Sequence, residues 1–141
     1  MLSGTISGVY RGYTLQTAWS ATQSTAGNYS DITATHRLIC ASTYALYIDG
    51  RTNSCTVDGS AKSFTSPAIS TAGNQTITLG TTTHRVYHNV DGTKSFTMTT
   101  VFNMQADIVG TWVNSITATG TITLNTIPRQ AQITSAINFN D

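Results

Sequence analysis

The sequence predicts an all-β protein, an antiparallel β-sandwich of immunoglobulin-like or jelly-roll-like type with about nine short strands. Composition is the first reason. Ser and Thr together make up roughly 30% of the 141 residues, far above ordinary usage. All six acids are Asp, and only two residues are Lys. Threonine suits a pleated, half-buried surface, whereas the absent Glu and scarce Lys favour helix. The second reason is a period-two alternation of apolar and polar residues, clearest over 29–40 and 95–104. The third is the run of turn signals Asp49-Gly50, Asp58-Gly59 and Asp91-Gly92 between the alternating segments.

Taken in order, residues 3–10 form a short first strand with Ile6, Val9 and Tyr10 among Gly and Ser. In 12–21, Tyr13, Leu15, Thr17 and Trp19 share one face. Gln23 to Asn28 is polar and contains glycine, so it reads as a turn or loop. From Tyr29 to Cys40, Ile32, Ala34, His36, Leu38 and Cys40 alternate with Thr33, Thr35 and Arg37, which places His36 on an apolar face. Tyr44 to Ile48 is another short strand, closed by Asp49-Gly50. Cys55 and Val57 lead into Asp58-Gly59. Phe64 to Gly73 holds Pro67 and small polar residues, the marks of an edge segment or a long loop.

Ile77 and Leu79 run into the most strongly patterned stretch, His84 to Met104. Asp91-Gly92 predicts that its two arms pair as a hairpin, with Phe96, Met98, Phe102 and Met104 on one face. A two-residue loop would set Arg85 opposite Met98 on that apolar face. A three-residue loop, Val90-Asp91-Gly92, sets Val86 opposite Phe96 and His84 opposite Met98, with Gly92 in the left-handed position. The longer loop is expected, because a one-residue slip exposes the whole apolar set. After the polar 105–110 stretch, the even-numbered Trp112, Ile116, Ala118, Ile122 and Leu124 give the longest alternation, with Trp19 and Trp112 as core anchors. Pro128 bars regular ladder pairing and holds Ile127 extended. Residues 1–127 are therefore read as the domain, and 128–141 as a linker or the start of a following module.

The chain is sparsely charged, at 9% of residues and net +1. That leaves no electrostatic footprint for nucleic acid or an anionic membrane. No long apolar run or signal-like N-terminus supports membrane insertion or export through a signal peptide. Cys40 and Cys55 fit no metal-site spacing and read as two reduced, buried thiols, although a disulfide between them is geometrically allowed. His84 and His88 lie on one strand face but roughly 13 Å apart, too far for one zinc ion. They are expected to hydrogen-bond backbone or Asp side chains at the hairpin. Asn89, Asp91 and Asp107 match no calcium loop and are good turn residues. No pair among Asp31, Asp49, Asp58, Asp91, Asp107 and Asp141 stands out as a glycosidase dyad, which needs two carboxyls within about 10 Å. A Ser-His-Asp triad is recognised by geometry, and no nucleophile-elbow glycine pattern surrounds any serine. The protein is read as a non-enzyme with no catalytic residue, metal or cofactor.

One cluster offers binding chemistry. Tyr44, Tyr47, Asp49 and Arg51 fall around a single strand-to-turn segment. They combine aromatic rings, on which sugars stack, with groups that hydrogen-bond hydroxyls. The competing reading is that Tyr44 or Tyr47 packs in the sheet.

Four blocks of the sequence carry a family resemblance. They are Leu15-Gln16-Thr17-Ala18-Trp19-Ser20-Ala21-Thr22-Gln23-Ser24, Asn28-Tyr29-Ser30-Asp31-Ile32-Thr33-Ala34, His88-Asn89-Val90-Asp91-Gly92-Thr93-Lys94-Ser95 and Gly120-Thr121-Ile122-Thr123-Leu124-Asn125-Thr126-Ile127-Pro128-Arg129. Together they resemble siphophage minor structural proteins, tail-associated proteins of phages and prophages of Gram-positive hosts that carry a domain of unknown function. The Thr-Ile-Pro-Arg ending commonly closes such a domain before further modules, and family members tend to be several times longer. The resemblance implies a location in the virion, at the phage tail, and extracellular action in host adsorption. Expected partners are other tail proteins and host cell-wall polysaccharide, with the chain acting as a homo-oligomer. The other expectation is a purely structural assembly domain that contacts only other tail proteins.

Overall fold

Period-two alternation becomes twelve strands in the structure, a computed structural model that describes residues 1–129. They are β1 (Ser3–Tyr10), β2 (Tyr13–Ser24), β3 (Tyr29–Cys40), β4 (Leu46–Ile48), β5 (Arg51–Val57), β6 (Ser60–Ser66), β7 (Ile69–Thr71), β8 (Gln75–Tyr87), β9 (Ser95–Phe102), β10 (Ala106–Ile108), β11 (Thr111–Val113) and β12 (Ile116–Thr123). The linker or further module expected beyond 127 lies, from residue 130 on, outside the described residues.

Two four-stranded antiparallel sheets carry the core, in the orders β1-β2-β3-β8 and β12-β9-β5-β6. They pack face to face as a β-sandwich, with β1 against β12 and β6 against β8. Each inner face is the apolar set the alternation picks out. Tyr13, Leu15 and Trp19 of β2 and Ile32, Ala34 and Leu38 of β3 are buried against Phe96, Met98 and Phe102 of β9 and Ile116, Ala118 and Ile122 of β12. The turn between β5 and β6 is a two-residue Asp58-Gly59 connection, both residues at positive φ (52° and 80°), the geometry whose twist matches two antiparallel strands. Two short ribbons, β4-β7 and β10-β11, complete the described strands. Of these, β4 falls within the expected Tyr44–Ile48 strand, whereas β7, β10 and β11 were not read as separate strands, because three residues leave too little alternation.

The structure corrects the expected hairpin over 84–104. β8 pairs with β3, and β9 pairs with β12 and β5, so 88–94 carries the chain from one sheet to the other. His84, Val86, Phe96 and Met98 are buried as the pattern requires. Alternation fixes which face a strand buries, and the inward faces of two opposed sheets satisfy it as well as two paired neighbours do. A bulge in β8 also switches its parity. Leu79 is buried, but after the register shift opposite His36 and Arg37 the buried set becomes Thr82, His84 and Val86.

Trp112 is the second correction. It is 64% exposed on β11, while the adjacent Val113 turns inward. The even-numbered alternation begins only at Ile116, because Asn114 and Ser115 separate β11 from β12. Val9 is likewise exposed. Cys40 and Cys55 are both buried and unbonded, in line with the reduced reading, and burial pushes both thiols up from their ordinary range. At the C-terminal side Ile127 is fully buried and donates its N–H to the Gly92 carbonyl at 2.9 Å.

Candidate functional site

The four candidate residues divide between two depressions. Strand β4 pairs with β7, so Leu46 and Ile69 point inward and Tyr47 points out opposite Ser70. Tyr47 is 67% exposed. With Asp49, Arg51 and Ser70 it lines a shallow depression of about 480 Å³. Tyr44 is elsewhere. It precedes β4, packs edge-on against Tyr13 (ring centroids 5.5 Å apart) and lies against Gly12, where a Cβ would come within 2.2 Å of its ring. Its open side belongs to a second depression of about 400 Å³ with Asp107 and Val109. The packing reading therefore holds for Tyr44, and the exposed reading for Tyr47.

Arg51 is held by backbone carbonyls. Its Nε donates to Met104 O at 3.1 Å, Nη1 to Asp49 O at 3.1 Å and Nη2 to Gln105 O at 3.2 Å. The guanidinium thereby ties the turn before β5 to the segment after β9. It still brings positive charge to the rim of the Tyr47 depression. Arg51→Ala should lower stability by about 1–2 kcal/mol, the loss of hydrogen bonds from a charged donor. A thermal melt should then shift down by about 5 °C. An unchanged melting temperature would mean that these contacts do not persist in solution.

The other flagged side chains serve the fold. His88 lies just past β8, donates from Nδ1 to Gly92 O at 2.7 Å and accepts at Nε2 from Ser30 Oγ at 2.7 Å. His84 shares the Thr82 hydroxyl with His36, at 2.8 and 2.9 Å. His88 thus meets a backbone carbonyl, as one of the two expected kinds of partner, whereas His84 meets a threonine hydroxyl in place of backbone or Asp. Asp91 accepts from the Thr93 backbone N–H at 3.0 Å and hydroxyl at 2.6 Å, which closes the 89–93 turn and holds its carboxyl below the usual range. Asp107 is on β10, away from that turn. Among the described residues, no three His, Cys, Asp or Glu side chains are grouped so as to hold a metal ion.

Sequence reasoning missed a second surface. On the outer face of the first sheet, Tyr29 is paired in register with Tyr87, and Asp31 with Arg85. Arg85 bonds Asp31 through two nitrogens (2.7 and 3.0 Å) and stacks 3.8 Å from the Tyr29 ring centroid. Only the β3-β8 pairing brings these four together, and the expected hairpin assigned β8 a different partner. The usable signal was the odd-numbered parity that 29, 31, 85 and 87 share.

Neither the protein-family models nor the curated proteins contain a match to this chain.

Proposed function

We propose that this domain is a non-enzymatic phage tail module acting in host adsorption, and that it binds a cell-surface glycan through the depression around Tyr47. The observation that carries the binding reading is the depression itself: a largely exposed tyrosine ring beside the Asp49 carboxylate, the Arg51 guanidinium and the Ser70 hydroxyl. A ring that a sugar can stack on, bordered by donors and acceptors for its hydroxyls, is the arrangement such ligands need. The location in the tail rests on the four sequence blocks that resemble siphophage minor structural proteins. On this reading the module works with other tail proteins and meets host cell-wall polysaccharide outside the cell, by shape and polar contacts and without a cofactor.

Calorimetric titration with purified host cell-wall polysaccharide tests it. Saturable binding is expected, with Tyr47→Ala weakening it roughly tenfold, the size of one lost stacking contact. Binding indifferent to Tyr47 would remove the site and keep the function. No binding at all would overturn both.

A second reading, a purely structural assembly domain, draws on the β10-β11 ribbon. Its tip holds Val109 at 88% exposure and a φ of 50°, beside the exposed Trp112. A β-branched residue in the left-handed region costs about 1–2 kcal/mol. Apolar side chains held in that way outside the core suit a protein contact. Trp112→Ser should dissociate an oligomer in sedimentation if this reading is the correct one.

A further inference from the structure

We infer that the outer face of the first sheet carries a second, separate ligand site, for a saccharide bearing an anionic group. It shares no residue with the Tyr47 depression and does not depend on it. A depression of about 410 Å³ is lined by Asp31, Thr33, Thr83 and Arg85 of that face and, over the edge formed by β8, by His84 and by Lys62 of β6 in the other sheet. Its charges do not cancel. Arg85 is matched by Asp31, which spends both carboxylate oxygens on it. Lys62 has no carboxylate partner among the described residues, since the ion pairs there are Arg85–Asp31 and Lys94–Asp58. One net positive charge therefore borders the depression. Aromatic surface adjoins it: Tyr87 is 61% exposed and leans edge-on against Tyr29, with ring centroids 5.6 Å apart.

The parts are fixed before any ligand arrives. Arg85 is clamped between the Asp31 carboxylate and the Tyr29 ring, and Asp31, Thr83 and Arg85 are anchored on paired strands. A ligand meeting this face loses little to ordering the protein. The exposed Lys62 adds an ammonium, a point charge suited to a carboxylate or a phosphate. The Thr83 hydroxyl and the exposed Tyr87 ring supply what a sugar's hydroxyls and apolar face require. A neutral sugar would leave the ammonium unused, and a bare anion would leave the ring unused.

The test is a nitrogen-15 NMR titration of the whole chain with glucuronic acid, glucose 1-phosphate, glucose, and inorganic phosphate. Both anionic sugars, or one of them, should shift the amides of 31–33, 62 and 83–87 saturably, and the active one identifies the anion as carboxylate or phosphate. Glucose should not shift them, and phosphate should do so more weakly. Lys62→Gln should weaken the response roughly tenfold. Raising salt from about 0.1 M to about 1 M should weaken it too, as the screening length falls from about 10 Å to about 3 Å. Tyr87→Ala should abolish the preference for sugar over phosphate. Equal responses to glucose, equal responses to phosphate, or full binding by Lys62→Gln would each overturn the proposal. Shifts confined to residues 47–51 would overturn it while leaving the Tyr47 site intact.

Discussion

Between pH 6.5 and about 4 the folded domain should lose on the order of 5 kcal/mol of stability, through two histidines buried in its core. His36 is fully buried and stacks on Phe64 with ring centroids 4.3 Å apart. Its Nδ1 meets Thr17 Oγ1 at 2.8 Å, and its Nε2 meets Thr82 Oγ1 at 2.9 Å. Thr17 continues to Thr100 at 2.8 Å, and Thr100 donates to Cys55 Sγ at 3.6 Å. That last bond sets the direction of the chain: His36 donates to Thr17, Thr17 donates to Thr100, and the Thr82 hydroxyl donates to His36. His84, at the far end, donates to Thr82. A protonated His36 would leave Thr82 receiving two N–H groups and would turn its own proton away from the imidazole.

Burial is the main reason both imidazoles are pushed down to about 4 from 6.5, with the neighbouring His84 adding for His36 and Lys62 adding for His84. Above pH 6.5 both states hold neutral imidazole and nothing changes. Below it the unfolded chain takes up protons that the folded one refuses, so stability falls with pH by about 1.4 kcal/mol per unit for each histidine. The fall ends near pH 4, where the folded protein also protonates. Asp31, held down by Arg85, and Asp91, held down by Thr93, lose their contributions chiefly below that window. Urea unfolding across the window measures the slope. His36→Gln should reduce it to about one proton's worth. A flat profile for the parent protein would mean that the core admits water or a counter-charge to these rings.

How much of this was legible beforehand follows from what alternation encodes. It places a side chain on a face, so the burial of His36 among Ile32, Ala34 and Leu38 could be read directly. It does not say which strand lies alongside or opposite. The partners of His36 come from β2, β8 and, through Thr17, β9, and the last of these belongs to the opposite sheet. The same gap produced the hairpin expectation and hid the pairing of Tyr29 with Tyr87. Around the candidate site, sequence proximity grouped Tyr44 with Tyr47, whereas Tyr44 precedes β4 and Tyr47 lies within it, and the two line separate depressions. Trp112 was misplaced for a related reason. Aromatic bulk suggests burial on average, but a three-residue ribbon gives a ring nothing to pack beneath.

Gly92→Ala should cost about 3–5 kcal/mol, although residue 92 sits in a turn and alanine adds one methyl group. Gly92 has φ +88°, a conformation that L-residues adopt at a cost of about 1–2 kcal/mol. Its surroundings add the remainder. A Cβ there would lie 2.0 Å from the Ile127 carbonyl oxygen, so the two backbones must part. Ile127 has little room to yield, being fully buried and followed by Pro128, which narrows its backbone freedom. Separation would strain the three hydrogen bonds made by Gly92: its N–H to Asn89 O at 2.8 Å, and its carbonyl to Ile127 N–H at 2.9 Å and His88 Nδ1–H at 2.7 Å. Each is worth about 1 kcal/mol. Gly110→Ala isolates the conformational part, because Gly110 has φ +80° and nothing within 4 Å of its Cβ position. It should cost only about 1–2 kcal/mol. Denaturant midpoints of the two variants compare them directly. Equal losses would show that left-handed strain alone accounts for Gly92. A much larger loss there would make the 88–94 crossover, through Ile127, the clasp that joins the C-terminal segment to both sheets.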